Sequence, residues 1–231
     1  WSTNTDGLPV IGVSYIAINP IDPQEMYITT GDAHASDTYS IGILKSNDGG
    51  QTWDTTGMQF AVTDDKMVNK VIIHPTFTDS LFAVTDNNIK ISPDGGQTWS
   101  NALSTSGSVL SGYFRDIEFK PNNPNVLYAV KQTTGSSQVY KSSDRGQTWS
   151  VAMNGISTVN RNRPLLAVTP ANPDAVYVLF CMNDYGFHGI YKSTDNADSW
   201  TLQSDSPNIL GRNTDGTSTG GQSWYDLSFG V

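Results

Sequence analysis

The sequence predicts an all-β protein, a β-propeller of four-stranded antiparallel blades. About four blades are complete and two partial, as in a section of a larger propeller. The prediction rests on a repeated turn motif, its regular spacing and a composition suited to short strands. The motif occurs as SNDGGQTW from Ser46, SPDGGQTW from Ser92, SSDRGQTW from Ser142 and, degenerate, STDNADSW from Ser193. The tryptophans that end it, Trp53, Trp99, Trp149 and Trp200, lie 46, 50 and 51 residues apart, a spacing typical of propeller blades.

Composition supports many short strands and narrows the function classes. The 231 residues include 21 Gly and 11 Pro, and no segment repeats apolar residues with a helical period. A net charge of −9 disfavours nucleic-acid binding, which usually needs a basic face. The longest apolar run, 176–182, is too short to span a membrane. Because Cys181 is the only cysteine, an intrachain disulfide is excluded, and we expect a small buried side chain.

Each repeat divides into four predicted strands, A to D, and the whole chain is predicted to be one propeller segment. Strand A always ends at a proline, where no further ladder N–H is needed: Pro20, Pro75, Pro121 and Pro170. The predicted parts are an outer strand of a preceding blade (1–12), blades at 13–60, 61–107, 108–157 and 158–210, and a linker with the inner strand of a following blade (211–231). We expect the remaining blades to come from the same or a longer chain, or from a partner.

The repeated motif is the predicted hairpin between strands C and D. Its Asp accepts backbone N–H groups of the turn, its Gly supplies a positive φ, and its Trp packs onto the blade. The residues with this structural role are Ser46, Asp48, Gly50, Trp53, Ser92, Asp94, Gly96, Trp99, Ser142, Asp144, Gly146, Trp149, Ser193, Asp195 and Trp200. The fourth copy has Ala197 in place of the glycine, so we expect a looser turn there.

These motifs resemble Asp-boxes, also called bacterial neuraminidase repeats, over nearly the whole chain. The resemblance implies a β-propeller, as in sialidases, sortilin-type receptors and xyloglucanase-type endoglucanases. The stretch from LPVIGVSYIAINP to the first motif also resembles sortilin-like propellers of large exported bacterial surface proteins, which often carry a type IX secretion signal. This narrower resemblance implies an extracellular or outer-surface location.

In a propeller the A–B and C–D turns share one face, so ligand contacts are expected on the opposite face, among the B–C loops, the blade-to-blade connections and the starts of the A strands. The candidate ligand-binding residues are Asp32, His34, Asp37, Tyr39, Tyr113, Arg115, Asp116, Arg163, Tyr185, His188, Trp224 and Asp226. The group from Asp32 to Tyr39 could contact a calcium ion, although its spacing does not match a known calcium loop. A hydrogen-bonded turn is the alternative, and no other cofactor is expected.

Three functions fit this sequence. The first is a non-catalytic module of an exported cell-surface protein that acts in adhesion or binds a glycan or protein. The second is a glycoside hydrolase of sialidase or xyloglucanase type whose catalytic pair lies partly outside the segment, with Asp116 and Asp226 as candidates. The third is a structural cargo or component of a secretion or surface complex. The sialidase Arg-Ile-Pro signature is absent, and we favour a non-enzyme.

Overall fold

A computed structural model describes residues 5–10, 12–33, 38–224 and 227–231. These residues form seventeen strands, and their only helix is one 3-10 turn, Val62–Asp64. No helix in the described ranges is long and apolar enough to cross a membrane. The chain divides into two units, the first made of Trp1–Ala102 with Val109–Ser111, the second of Leu103–Ser108 with Gly112–Val231.

The first unit contains two antiparallel sheets of four strands, each in sequential order. Blade 1 consists of β1 (Val13–Ile18), β2 (Met26–Thr30), β3 (Gly42–Ser46) and β4 (Asp54–Gln59). Blade 2 consists of β5 (Val68–Ile73), β6 (Leu81–Thr85), β7 (Ile89–Ser92) and β8 (Ser100–Asn101). Their facing side chains form one core that includes Tyr27, Ile43, Val71 and Leu81, all fully buried. The core exists because alternate residues of each strand point to the same face of its sheet.

The second unit contains the other two blades. Blade 3 consists of β10 (Tyr113–Phe119), β11 (Leu127–Gln132), β12 (Gln138–Ser142) and β13 (Thr148–Val151), with β9 (Leu103–Ser104) added in parallel beside β13. Blade 4 consists of β14 (Pro164–Val168), β15 (Val176–Cys181), β16 (Phe187–Ser193) and β17 (Thr201–Ser204). Val130, Val139, Val178 and Phe180 are among the fully buried residues of the core between blades 3 and 4.

The far face of blade 4 is also covered. Leu227 and Phe229 pack against Leu179, Cys181 and Phe187. Cys181 is fully buried as expected, and burial raises the pKa of its thiol to about 11. The described residues of the two predicted end segments, 5–10 and 12 at one end and 211–224 with 227–231 at the other, form no strand, and the partial strands predicted there stay predictions.

All four motif hairpins have the same hydrogen-bonded turn, which we call the Asp-box turn. In the third, Ser142 Oγ donates to Asp144 Oδ1 (2.8 Å), and Gly146 N donates to Ser142 Oγ (2.9 Å). Thr148 then donates its backbone N–H and its hydroxyl to the two oxygens of Asp144 (2.9 and 2.5 Å). The carboxylate of Asp144 therefore bonds Ser142 at the start of the turn and Thr148 at its end.

The expectation of a looser fourth turn is wrong. Ser193 Oγ donates to Asp195 Oδ1 (2.7 Å), Ala197 N donates to Ser193 Oγ (2.8 Å), and Ser199 supplies the same pair of bonds as Thr148 (2.9 and 2.5 Å). Ala197 takes a positive φ of 66° without glycine. The turn keeps its form because the residues whose side chains close it, Ser193, Asp195 and Ser199, are retained in type.

The Asp-box turns lie at the same end of each blade as the A–B turns. Gly49, Gly95 and Arg145 donate their backbone N–H groups to Gln24, Asp79 and Asn125 of the A–B turns (2.9, 2.8 and 2.9 Å). We call this the turn end. The B–C loops and the connections between blades therefore lie at the opposite end, which we call the loop end.

Candidate functional site

The loop end of the second unit carries an exposed aromatic pair. Tyr185, in the B–C loop of blade 4, is 41% exposed, and Trp224, at the end of the connection 205–224, is 44% exposed. Their ring centroids are 6.4 Å apart, with an angle of 48° between the planes. Two adjacent rings that are both open to solvent form an apolar patch with an aromatic face available for contact.

The connection 205–224 folds back onto this B–C loop and fixes the aromatic pair. Ser223 donates its backbone N–H and its hydroxyl to the Tyr185 carbonyl oxygen (3.4 and 2.7 Å). Gly221 N donates to Asp184 O (3.0 Å). A Cβ at Gly221 would lie 2.4 Å from Tyr185 O, so only glycine permits the approach. Tyr185 itself has a φ of 66°, a conformation that these bonds hold in place.

A row of polar side chains runs across the loop end of blades 3 and 4, and we call it the polar row. The guanidinium of Arg115 lies 4.5 Å from the ring centroid of Tyr113. Its Nε donates to Gln132 Oε1 (2.6 Å), and Gln132 Nε2 donates to Asn162 Oδ1 (3.2 Å). Residues at the start of β10, at the end of β11 and just before β14 thus orient the guanidinium of Arg115. Its donors are suited to hydroxyl or carboxylate oxygens.

Asp116 and His188, two other predicted site residues, have structural partners. Asp116 is 7% exposed, and its two carboxylate oxygens accept the N–H groups of Ile117 (2.9 Å) and Leu166 (3.0 Å). The second bond joins blade 3 to blade 4. His188 Nε2 lies 3.0 Å from Val159 O, and burial lowers the pKa of its imidazole.

The other predicted residues divide between the two units. Arg163 is buried at the start of β14. In the first unit, Asp32 donates its backbone N–H to Thr38 O (2.9 Å), and Tyr39 is half-buried beside this turn. His34, Asp37 and Asp226 lie outside the described residues. Within the described ranges no group of three or more His, Cys, Asp or Glu side chains could hold a metal ion, so the calcium expectation stays a prediction.

Sequence reasoning missed the residues that orient the site. Gln132, Asn162 and Ser223 were not predicted, although each lies in or beside a segment that was. For Gln132 and Asn162 a signal existed, since both lie at the loop-end termini of predicted strands. For Ser223 there was none, because its partner Tyr185 lies in a different loop.

The sequence also matches a known protein family. The family model described as "Sortilin, neurotensin receptor 3" (Sortilin-Vps10) matches residues 87–209, more than half of the chain. The chain belongs to the Sortilin-Vps10 family. The sortilin-like propeller recognised from the Asp-box turns is thereby confirmed.

Relatives of this Sortilin-Vps10 chain include enzymes that act on polysaccharide. Xyloglucanase Xgh74A of Acetivibrio thermocellus is 29% identical over 162 residues, which cover 60% of this chain and 19% of the enzyme. An oligoxyloglucan-reducing end-specific xyloglucanase of Emericella nidulans is 25% identical over 148 residues, covering 61% and 18%. The chain therefore spans about a fifth of the length of these relatives.

Solved structures confirm the propeller fold. The GH74 xyloglucanase from Xanthomonas campestris superposes with a TM-score of 0.63 at 16% identity, covering 92% of this chain and 33% of the enzyme. An ancestral GH74 enzyme gives a TM-score of 0.62 at 17% identity, covering 82% and 25%. At these identities the likeness shows the fold alone.

Proposed function

We propose that this Sortilin-Vps10 chain is a polysaccharide-binding propeller segment of an extracellular protein. The aromatic pair Tyr185–Trp224 is the observation that carries the proposal. Two exposed rings held at a fixed angle offer apolar faces to the C–H groups of a sugar ring. The similarity to xyloglucanases supports a β-glucan such as xyloglucan as the ligand.

The structure favours binding over catalysis by Asp116. A catalytic acid or base needs a carboxyl oxygen within reach of the substrate. Both oxygens of Asp116 accept backbone N–H groups instead, and the side chain is almost completely buried. Asp116 therefore acts in this proposal as a link between blades 3 and 4.

The test is a binding assay on xyloglucan with three variants. Trp224→Ala and Tyr185→Ala should each weaken retention on immobilised xyloglucan about tenfold, because each removes one stacking face. Phe77→Ala is the matched control, since Phe77 is also exposed (56%) but follows Pro75 in the A–B turn of blade 2, at the turn end. Unchanged retention in both loop-end variants would refute the proposal.

The sequence similarity to xyloglucanases also supports the second candidate, a glycoside hydrolase whose catalytic pair lies partly outside this segment. Asp116→Asn decides whether Asp116 belongs to that pair. We expect the variant to melt at a lower temperature, because the amide puts a donor in place of one acceptor facing Leu166 N or Ile117 N. Full-length protein carrying Asp116→Asn should keep its turnover of xyloglucan below the melting transition, and complete loss of turnover in a folded variant would assign Asp116 to catalysis.

Further blades are the proposed partners. Ile16 and Ile18 on β1 are both 55% exposed, whereas Ala17 between them is buried in the core of the first unit. Alternation along the strand places the two isoleucines on the opposite face of blade 1. This open apolar face supports the proposal of a neighbouring blade. Roles in adhesion, in surface attachment or as cargo of a secretion complex are narrower proposals, which depend on the longer protein that would contain such blades.

A further inference from the structure

The connection 205–224, which ends at Trp224 of the aromatic pair, forms a cavity of about 340 Å³ that is open to solvent. Its lining includes Pro207, Asn208, Arg212, Asn213 and Thr214. The volume falls in the range of small-molecule sites, about 300–1,000 Å³. A structured cavity inside a long connection is a feature that packing of the blades alone does not require.

Hydrogen bonds of Asn208 hold the cavity wall in place. Its Nδ2 donates to the carbonyl oxygens of Ser218 (3.0 Å) and Gly220 (2.8 Å), and its Oδ1 accepts the backbone N–H of Phe187 (2.9 Å). Leu210 O accepts the backbone N–H of Gln222 (3.1 Å). The same segment therefore shapes the cavity and fixes the loop that carries Tyr185.

Arg212 differs from the other arginines of the chain. The side chains at 115, 145 and 161 donate to Gln132, Asn125 and Ser137, and Arg163 also has a partner. Arg212 makes no hydrogen bond or ion pair with any described residue. It lines the cavity in a protein whose net charge is −9, where carboxylates outnumber cations.

Among the described residues, no carboxylate lines the cavity with it. The connection contains two acidic residues: Asp205 is not among the described lining residues, and Asp215 uses its Oδ1 to accept the backbone N–H (3.0 Å) and the hydroxyl (2.7 Å) of Thr217. The guanidinium is thus the one charged group among the described lining residues, and it offers only donors.

We propose that this cavity binds a uronate residue of a polysaccharide whose neighbouring sugar lies on the aromatic pair. A guanidinium recognises a carboxylate through two parallel, charge-assisted hydrogen bonds. The proposal rests on the proposed polysaccharide binding and adds that the ligand is acidic at one position. Asn213 and Thr214 supply polar groups for the hydroxyls of the same sugar.

The test compares an acidic ligand with its own neutral form. Calorimetric titration would use a xylo-oligosaccharide bearing one glucuronic acid, and the same oligosaccharide with that carboxyl group converted to its methyl ester. We expect the wild type to bind the acid about tenfold more tightly than the ester, and the advantage to shrink as salt is raised. Arg212→Gln should bind both forms equally.

Arg145→Gln is the matched control, because Arg145 is an arginine at the turn end of the same unit, and it should keep the full preference for the acid. No preference in the wild type, or a preference that survives in Arg212→Gln, would overturn the uronate site. Trp224→Ala should weaken both forms by the same factor. If it weakens neither while Arg212→Gln still removes the preference, the aromatic-pair proposal fails and the uronate site stands. If neither form binds the wild type, the uronate site fails, and retention on immobilised xyloglucan decides the aromatic-pair proposal separately.

Discussion

The third and fourth Asp-box turns reach one geometry from different residues. Arg145 and Gly146 occupy the left-handed positions of the third turn, with φ of 59° and 74°. Asn196 and Ala197 occupy those of the fourth, with φ of 62° and 66°. Between the two turns, the length of the Ser–Asp bond and the lengths of the two bonds donated by Thr148 or Ser199 differ by 0.1 Å or less. The side-chain bonds therefore impose the left-handed backbone, and glycine only lowers its strain.

The two turns differ in what their indole groups contact. Trp149 Nε1 donates to Gly146 O inside its own turn (2.8 Å), whereas Trp200 Nε1 donates to Ala152 O, just beyond the last strand of blade 3 (3.0 Å). Trp200 thus ties its turn to the neighbouring blade.

The largest expected effect comes from removing each indole. Trp149 is 1% exposed and Trp200 is 4% exposed, so Trp149→Ala and Trp200→Ala should each lower the free energy of unfolding by about 3–5 kcal/mol. Urea unfolding measures both, and the exposed Trp224→Ala is the control, with an expected change below about 1 kcal/mol. A much smaller loss for Trp200→Ala would show that the fourth turn is not equivalent to the third.

An intermediate effect concerns the carboxylates. Hydrogen bonds from the Ser199 hydroxyl and then Ser193 lower the pKa of Asp195 from its ordinary 3.8 to about 2. Burial works in the opposite direction on Asp144, but the bonds from Thr148 and Ser142 still lower its pKa. A carboxyl group whose pKa is lower in the folded state stabilises the protein fully above the unfolded pKa, and this contribution disappears as the pH falls through the folded pKa.

Asp195→Asn and Asp144→Asn should therefore melt below the wild type at pH 7. For Asp195→Asn the gap should close between about pH 4 and pH 2. Thermal unfolding at several pH values checks this, with Asp205→Asn as an exposed acidic control outside the turns. A gap that stays constant down to pH 2 would mean that the charge of the carboxylate does not stabilise the turn.

The blades and the Asp-box turns could be predicted because their signals are local. Ser142, Asp144 and Trp149 lie within eight residues, and the turn closes on itself. Tyr185 and Trp224 could each be predicted as site residues, but their pairing could not, because the two rings meet only after the connection 205–224 folds back. Gly221 looks like an ordinary turn residue in the sequence, and only the structure shows the carbonyl group that it must admit.

Asp116 shows a second limit of sequence reasoning. Strict alternation along β10 predicts that Arg115 and Asp116 face opposite sides, and one of them the ligand. The pairing of β10 with β11 shifts register between Phe114 and Asp116, so the regular alternation of side chains is interrupted at this point of the strand. Asp116 then reaches Leu166 N on the next blade. A bulge depends on the partner strand, and a pattern of residue types does not reveal it.

The smallest expected effect separates the roles of glycine and of the side-chain bonds. In Ala197→Gly, relief of the left-handed strain is about 1 kcal/mol, but loss of a buried methyl group removes about 0.8 kcal/mol. We therefore expect a net change below about 0.5 kcal/mol in urea unfolding. Gly146→Ala introduces the strain and should lower the free energy of unfolding by about 1 kcal/mol. If Ala197→Gly instead stabilises as much as Gly146→Ala destabilises, the methyl group of Ala197 contributes nothing, and glycine rather than the Ser–Asp bonds sets the turn.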